Sequence, residues 1–337
     1  MLDLFVLLLS FLLVVALTFG LENYAQRFQL MDIPNDRSSH ETPTPRGGGV
    51  SVVLVFLGFV SVLLIQDRLL PSYAFSMLLG GGVIAAVGFW DDHQHIPARY
   101  RVTLHLLAAG LALFLLPGLP GIPMVLGDMH LGLLGYPFFV VALVWFLNLF
   151  NFMDGVDGIA SVEAISIAGG AGLILLAQSE FEWAFLCFGL VICVGGFLVW
   201  NWPPARIFMG DACSGFLGLI IGLLAIIVSI ETDMSIWSWV ILSGVFIVDA
   251  TVTLVRRMLG GDVWYEAHRS HGYQILSRRW GEHKRVTLAV LLTNFVWLMP
   301  LAVAANNLPL FGALIALGSV CPLVMLACQM GAGANND

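Results

Sequence analysis

Eleven long apolar runs separated by polar gaps set the pattern of this chain. They cover residues 1–21, 49–66, 73–90, 102–117, 133–150, 159–177, 182–200, 213–230, 235–256, 286–305 and 308–329. Most reach the roughly 17 to 25 residues that a helix needs to cross a hydrocarbon core, so each predicts a membrane span. The runs are continuous, whereas barrel strands would alternate apolar and polar residues. The pattern therefore predicts an all-α, polytopic membrane helical bundle of about 11 transmembrane helices, forming one domain over residues 1–337 with the lipid bilayer around it.

Composition agrees with the pattern: 59% apolar and 11% charged residues leave too little polar surface to coat a water-exposed domain. The mean hydropathy is +0.93. Thirty-six glycines suit closely packed helices. Charge then orients the bundle. With the N-terminus placed outside, in the periplasm, the odd-numbered gaps hold every basic residue except Arg68. That asymmetry predicts cytoplasmic loops at about 22–48, 91–101, 148–158, 201–212 and 257–285, in a bacterial inner membrane. No basic segment precedes the first run, and Arg27, Arg37 and Arg46 follow it, which reads as a retained helix rather than a cleaved signal. The net charge of −8 says little by comparison. Cys187, Cys193, Cys213, Cys321 and Cys328 lie in or beside apolar runs without a CxxC pair, and read as packing residues. Residues 118–132 predict a small outer hairpin about Gly127 and Asp128. No repeat or low-complexity tract is present, and nucleic acid is not an expected partner.

Five polar constellations occupy the inner loops. In DIPNDRSSHETPTPRGGG, prolines forbid a regular helix and Gly47, Gly48 and Gly49 permit close approach of another backbone. His40 and Arg46 offer positive charge to a phosphate, although a turn into the second span explains the loop equally well. In GFWDDHQHI, Asp91 and Asp92 end the third span, and adjacent carboxylates there call for a cation or a proton. A solvated helix end accounts for two acids nearly as well; His93 and His95 read as solvated loop residues. NLFNFMDGVDGIA is more specific. Asn148, Asn151, Asp154 and Asp157 recur every third residue, so four polar groups are expected to converge where two spans meet. Ionisable groups at membrane depth are costly and usually functional. NWPPARIFMGDACSGFLG places Asp211 before the eighth span, as an N-cap or as a metal ligand beside a helix N-terminus suited to a diphosphate. EAHRSHGYQIL offers His268, Arg269 and His271 as donors to phosphate oxygens.

In this order the motifs, PN then PTPRGGG, DD, NxxNxxDGxDGIA, NxxPAxxFMGD and a His-containing last loop, resemble one family over about residues 32–276. The chain resembles the polyprenyl-phosphate N-acetylhexosamine-1-phosphate transferases (glycosyltransferase family 4), which include phospho-N-acetylmuramoyl-pentapeptide transferase and the enzymes that initiate O-antigen and teichoic acid synthesis. The resemblance implies transfer of a sugar 1-phosphate from a UDP-sugar to undecaprenyl phosphate, releasing UMP, with Mg²⁺ (or Mn²⁺) as cofactor. It implies Asp91, Asp92, Asp154, Asp157 and His271 as catalytic residues, and Asp211, Asp91, Asp92 and Asn151 as metal ligands. His40, Arg46, Asn148, Asn151, Asn201, Phe208, His268, Arg269, Tyr273 and Gln274 follow as substrate contacts, with Phe208 stacking on uracil. A phosphate monoester has its second pKa near about 6, so much of the acceptor is already a dianion and a positioning role suits the paired aspartates better than proton removal. The last loop departs from the family's His-x-His-His pattern: Tyr273 and Gln274 stand where two histidines are usual. This resembles the branch that initiates O-antigen with N-acetylated deoxyhexosamines, and makes those two positions expected readers of the sugar.

Three rival classes compete. A transporter would place its polar groups near the bilayer midplane with access from both sides. A lipid-binding scaffold would need the basic loops but not the acids, and a lipid phosphatase would release phosphate without a UDP-sugar. The sequence leaves the sugar, the polysaccharide, a homodimer and the order of binding open.

Overall fold

A computed structural model describes residues 2–34, 40, 42–94, 96–261 and 268–334. Every one of the eleven apolar runs coincides with helix. In chain order these are α1 (Leu2–Arg27), α2 (Val50–Ile65), α3 (Pro71–His93), α4 (Ala98–Phe114), α5 (Gly132–Met153), α6 (Ile159–Ala177), α7 (Phe181–Asn201) and α8 (Asp211–Glu231). The ninth run is broken into α9 (Ile236–Leu242) and α10 (Gly244–Leu259), which meet at 71°. A short helix outside the apolar runs, α11 (Gly272–Trp280), precedes α12 (His283–Asn307) and α13 (Pro309–Met330).

Among the described residues, eight helices are long and apolar enough to cross a membrane, or nine if the bent pair is one span; α2 is a shorter apolar helix. The protein is thus a multi-pass, all-α membrane protein. Burial ranks the helices. In α8, 89% of the apolar window is enclosed by other helices, against 17% for α1 and 22% for α13, so α8 forms the axis and the terminal helices the rim. Leucines and phenylalanines of the rim, such as Leu4, Leu12, Phe114, Phe295 and Leu317, are exposed, as expected of side chains that face lipid. Glycines set how closely the axis packs. A Cβ at Gly218 would fall 2.9 Å from the carbonyl oxygen of Phe146, so α5 crosses α8 at backbone contact.

The outer hairpin is present in miniature. Ile122 and Met129 exchange both backbone hydrogen bonds, at 3.1 and 2.9 Å, around Gly127 at φ +111°. All five cysteines are free, and Cys187, Cys193 and Cys213 are buried in the packing. Arg68, the one outer basic residue in the predicted topology, bridges Asp3 at 2.6 Å and Glu182 at 2.8 Å. It thereby ties the starts of α1 and α7 together at the end of the bundle opposite the five polar constellations.

Candidate active site

The first and fourth constellations form one backbone unit. Met31–Asp32 pairs antiparallel with Thr44–Pro45 and so brings together the two ends of the proline-rich loop. The strand then continues into the FMGD segment: Phe208 N–H donates to Pro45 O at 2.8 Å, Gly48 N–H to Phe208 O at 3.0 Å and Gly49 N–H to Met209 O at 3.0 Å. The glycines are needed for this approach, because a Cβ at Gly48 would meet Ile207 and Phe197 at 2.9 Å. Gly47 and Gly210 both adopt positive φ, +89° and +82°, where they pass each other. His40 lies with its ring edge against Phe208, 4.9 Å between centroids, so one face of Phe208 is already flanked by an imidazole.

The paired aspartates divide their work. Asp92 accepts the backbone N–H groups of Asp211 at 3.2 Å and Ala212 at 3.4 Å, at the start of α8. It is therefore Asp92, reaching across from α3, that serves this helix N-terminus. Asp211 is the first helical residue rather than the cap, and those two amides are not free for a diphosphate. Gly88 makes the crossing possible, since a Cβ there would press into the Asp211 backbone. Asp91 turns the other way, accepting Ile96 N–H at 2.7 Å and pairing with Arg101. Arg46 donates to the Asp92 carbonyl, and Arg101 also reaches Asp211 at 3.8 Å. The Asp91 side chain is 5% exposed and that of Asp211 38%, so Asp211 is the one that opens to the outside.

The four-residue, every-third pattern does not converge as the spacing suggested. Helix α5 ends at Met153, and Gly158 enters α6 at φ +72°, so the chain turns within the motif and its side chains part. Asn148 donates back to Val144 O at 2.6 Å. Asn151 reaches α8, donating to Ser214 Oγ at 3.0 Å and bonding Asp211. Asp154 faces the cleft. Asp157 turns to Ala205 N–H at 3.0 Å and to His283 at 3.1 Å, and so braces the adjoining loop. Asn201 is similarly internal, joining Gly158 N–H at 3.0 Å to Ile207 O at 3.0 Å. Among the described residues, no hydrogen bond or ion pair reaches the Asp154 side chain. Burial, then the charges of Asp211, Asp92 and Asp157, push its carboxyl well above the usual carboxylate range.

The last loop docks through an acid inside α10. Asp249 accepts Gly272 N–H and Tyr273 N–H, both at 2.8 Å, and contacts His271 Nδ1 at 3.4 Å. His271 stacks on His268 at 4.8 Å and on Tyr273 at 5.7 Å. Tyr273 and Gln274 do not line open space. Tyr273, 3% exposed, donates its hydroxyl to Phe152 O at 3.0 Å, and Gln274 accepts His271 N–H at 3.4 Å to complete a helix cap. Arg269 is exposed beside this loop.

Residues 74–229 match the sequence model of glycosyl transferase family 4. The stretch from α3 to α8 is thus similar to glycosyl transferase family 4. It is 28% identical over 299 residues to a Bacillus subtilis protein named probable undecaprenyl-phosphate N-acetylglucosaminyl 1-phosphate transferase, covering 86% of this chain and 81% of the relative. It is 28% identical over 283 residues to the phospho-N-acetylmuramoyl-pentapeptide-transferase of Streptococcus suis, covering 78% and 77%. It is 29% identical over 220 residues to the undecaprenyl-phosphate alpha-N-acetylglucosaminyl 1-phosphate transferase of Yersinia pestis, covering 63% and 59%.

The structure gathers Arg46, Asp91, Asp92, Asn151, Asp154 and Asp211 into one polar cluster. It adds residues that the sequence reading did not single out. Arg101 counted there only as a topology charge, Asp249 lay hidden in an apolar run, and His283 stood in a basic stretch. An acid inside a span is itself a signal, which would have flagged Asp249. Arg37 and His95 lie outside the described residues.

Proposed function

We propose that this protein transfers a sugar 1-phosphate from a UDP-activated N-acetylated hexosamine or deoxyhexosamine to undecaprenyl phosphate, giving undecaprenyl-diphosphate-sugar and UMP. The reaction takes place at the cytoplasmic face of the bacterial inner membrane and initiates O-antigen or a related envelope polysaccharide. The observation that carries this reading is the meeting of Asp91, Asp92, Asp154 and Asp211 with Arg46 and Arg101 at one end of a membrane bundle. A lipid phosphate is confined to the bilayer surface and a UDP-sugar arrives from the cytosol, so a cleft at a helix-bundle end is where the two can react. The names of the Bacillus subtilis and Yersinia pestis relatives support the same acceptor and the same kind of transfer.

The donor set suits Mg²⁺ or Mn²⁺. Two guanidinium groups face four carboxylates, and burial, then the neighbouring charges of Asp211, Asp92 and Asp157, raise the Asp154 carboxyl. Among the described residues, no three His, Cys, Asp or Glu side chains are arranged to hold a metal by themselves. Mg²⁺ commonly takes one or two carboxylates and completes its shell with substrate phosphates and water, which fits so open a set. Asp211 and Asp154 would hold the ion, with Asn151 beside Asp211; Asp91 and Asp92, bound to Arg101 and to helix amides, orient those ligands from behind. When bound, the ion offsets charge on the diphosphate and on departing UMP.

The chain's own part is positioning and charge balance, which is what phosphoryl transfer asks of a protein. Arg46 and Arg101 hold the paired aspartates and stand ready for phosphate oxygens. Phe208 offers its remaining face to the uracil ring. His271, His268 and Arg269 approach from the last loop as donors to phosphate. Purified protein incubated with undecaprenyl phosphate, Mg²⁺ and a panel of UDP-sugars tests the reaction. UMP and a lipid-linked sugar should form only when both substrates are present, whereas release of inorganic phosphate from the lipid alone would identify a phosphatase instead.

A further inference from the structure

One carboxyl group, about one turn into α6, stands outside the hydrogen-bonded cluster of acids and is more deeply enclosed than any of them. Glu163 of α6 is 0% exposed, and Asn294 of α12, 2% exposed, donates from Nδ2 to Glu163 Oε2 at 2.6 Å. Among the described residues, the two remaining oxygens of this pair, Glu163 Oε1 and Asn294 Oδ1, have no hydrogen-bond partner. Both are acceptors, and an ionised carboxylate has no proton to offer either. A single proton on Oε1 supplies the donor that this pair of bare acceptors lacks, with Asn294 Oδ1 as its unpartnered acceptor.

No counter-charge stands in for that proton. On α12, His283 is committed to Asp157 and Arg285 to Glu282, and Lys284 lies with them at the cleft end of the helix. On α7, Glu182 is held by Arg68 at the opposite end; on α8, Glu231 is bound by Tyr73, and Asp211 belongs to the cleft. On α10, Asp249 is taken up by His271 and the α11 amides, and Phe246, in the first turn, presents its amide toward Glu163 without forming a hydrogen bond to Oε1. The thiols of Cys187 and Cys193 are packed among apolar side chains.

We propose that Glu163 is protonated at neutral pH and forms with Asn294 a neutral latch that fixes α12 against α6. The latch is a positioning pair, because α12 carries His283 behind Asp157. Its protonation is independent of the reaction proposed for the cleft; only its effect on turnover rests on that reading.

Infrared spectra of the purified protein at neutral pH test the latch directly. A protonated-carboxyl C=O band that shifts on deuteration should be present in the wild type and missing in E163Q. Glutamine can replace both hydrogen bonds, so E163Q should keep the melting temperature and hold kcat within about twofold, while E163L and N294L lower both. Loss of melting temperature in E163Q equal to that in E163L would show that a charged carboxylate is required and would overturn the proposal. So would absence of the band from the wild type, a result that needs no variant to fold. If no donor sugar supports turnover, the spectra and melting temperatures still decide the protonation.

Discussion

Among the described residues, Asp154 is the acid of the cluster without a hydrogen-bond or ion-pair partner, and its raised pKa has a consequence for stability. Burial, then Asp211, Asp92 and Asp157, make the folded protein bind this proton more tightly than the unfolded chain does. The resulting stabilisation is fully present below the ordinary carboxylate range and is lost as pH rises through the folded pKa. Without divalent cations, the melting temperature should therefore fall as pH rises above the ordinary carboxylate range, and Asp154→Asn should flatten that slope. Mg²⁺ should raise the melting temperature more at the higher pH, where the carboxylate is free to bind it. Superimposable pH profiles for the wild type and the variant would remove Asp154 from this role. A second comparison separates the neighbouring acids. Asp211→Asn should reduce UMP release by at least about 100-fold with the fold retained, because a carboxylate open to the ion is lost. Asp92→Asn can still accept one helix amide, so a loss of roughly 10- to 100-fold is expected, unrescued by raising pH. Initial rates at low and high Mg²⁺ distinguish them; near-normal turnover by Asp211→Asn at low Mg²⁺ would refute its part in holding the ion.

At the scale of elements, the cleft depends on helices arriving at fixed heights. Helix α3 delivers Asp92 to the first amides of α8 only because Gly88 lets it cross the Asp211 backbone. The short helix α11 is placed the same way, by Asp249 at its first amides and by the Tyr273 hydroxyl on Phe152 O, just before the Asp154 turn. Tyr273→Phe removes that one hydrogen bond and should cost about 1 kcal/mol. Since the ring is buried, the variant should slow turnover to a similar degree with every UDP-sugar accepted. The ratio of kcat/KM values across the donor panel checks this; a changed ranking would return Tyr273 to the sugar pocket that the sequence suggested.

For the molecule as a whole, Arg68 with Asp3 and Glu182 marks one end of the bundle, and the cleft, Arg46 and Arg101 mark the other. The positive-inside bias predicts that the end carrying the acids faces the cytoplasm. Single cysteines placed in a cysteine-free background near Arg46, Asp92, Asp154, Asp211 and His271 should resist an impermeant thiol reagent applied from the periplasm, and one next to Arg68 should react. Periplasmic labelling of any of the first five would break the assigned orientation.

The eleven apolar runs and the one-sided basic residues made the helices and their proposed orientation legible from sequence, because the cost of exposing backbone and charge to lipid acts on each segment independently of its neighbours. The DD, DGxDG and FMGD motifs likewise pointed to the cleft, since their acids are too costly to hold at a membrane edge without a use. Which acid meets which partner was a different matter. The every-third spacing suggested one shared site for all four side chains; instead Asn148 bonds back to Val144 within α5, and the turn between Met153 and Gly158 commits Asp157 to Ala205 and His283, with only its charge still reaching Asp154. Likewise Asp92, not Asp211, serves the α8 amides, and Arg101, Asp249 and His283 acquire partners far away in the chain. Those contacts follow from the close crossings of whole helices, whose heights and rotations no local pattern specifies. Sequence determined what each segment must be; tertiary packing decided which polar groups face one another, because that depends on the surfaces of two segments at once.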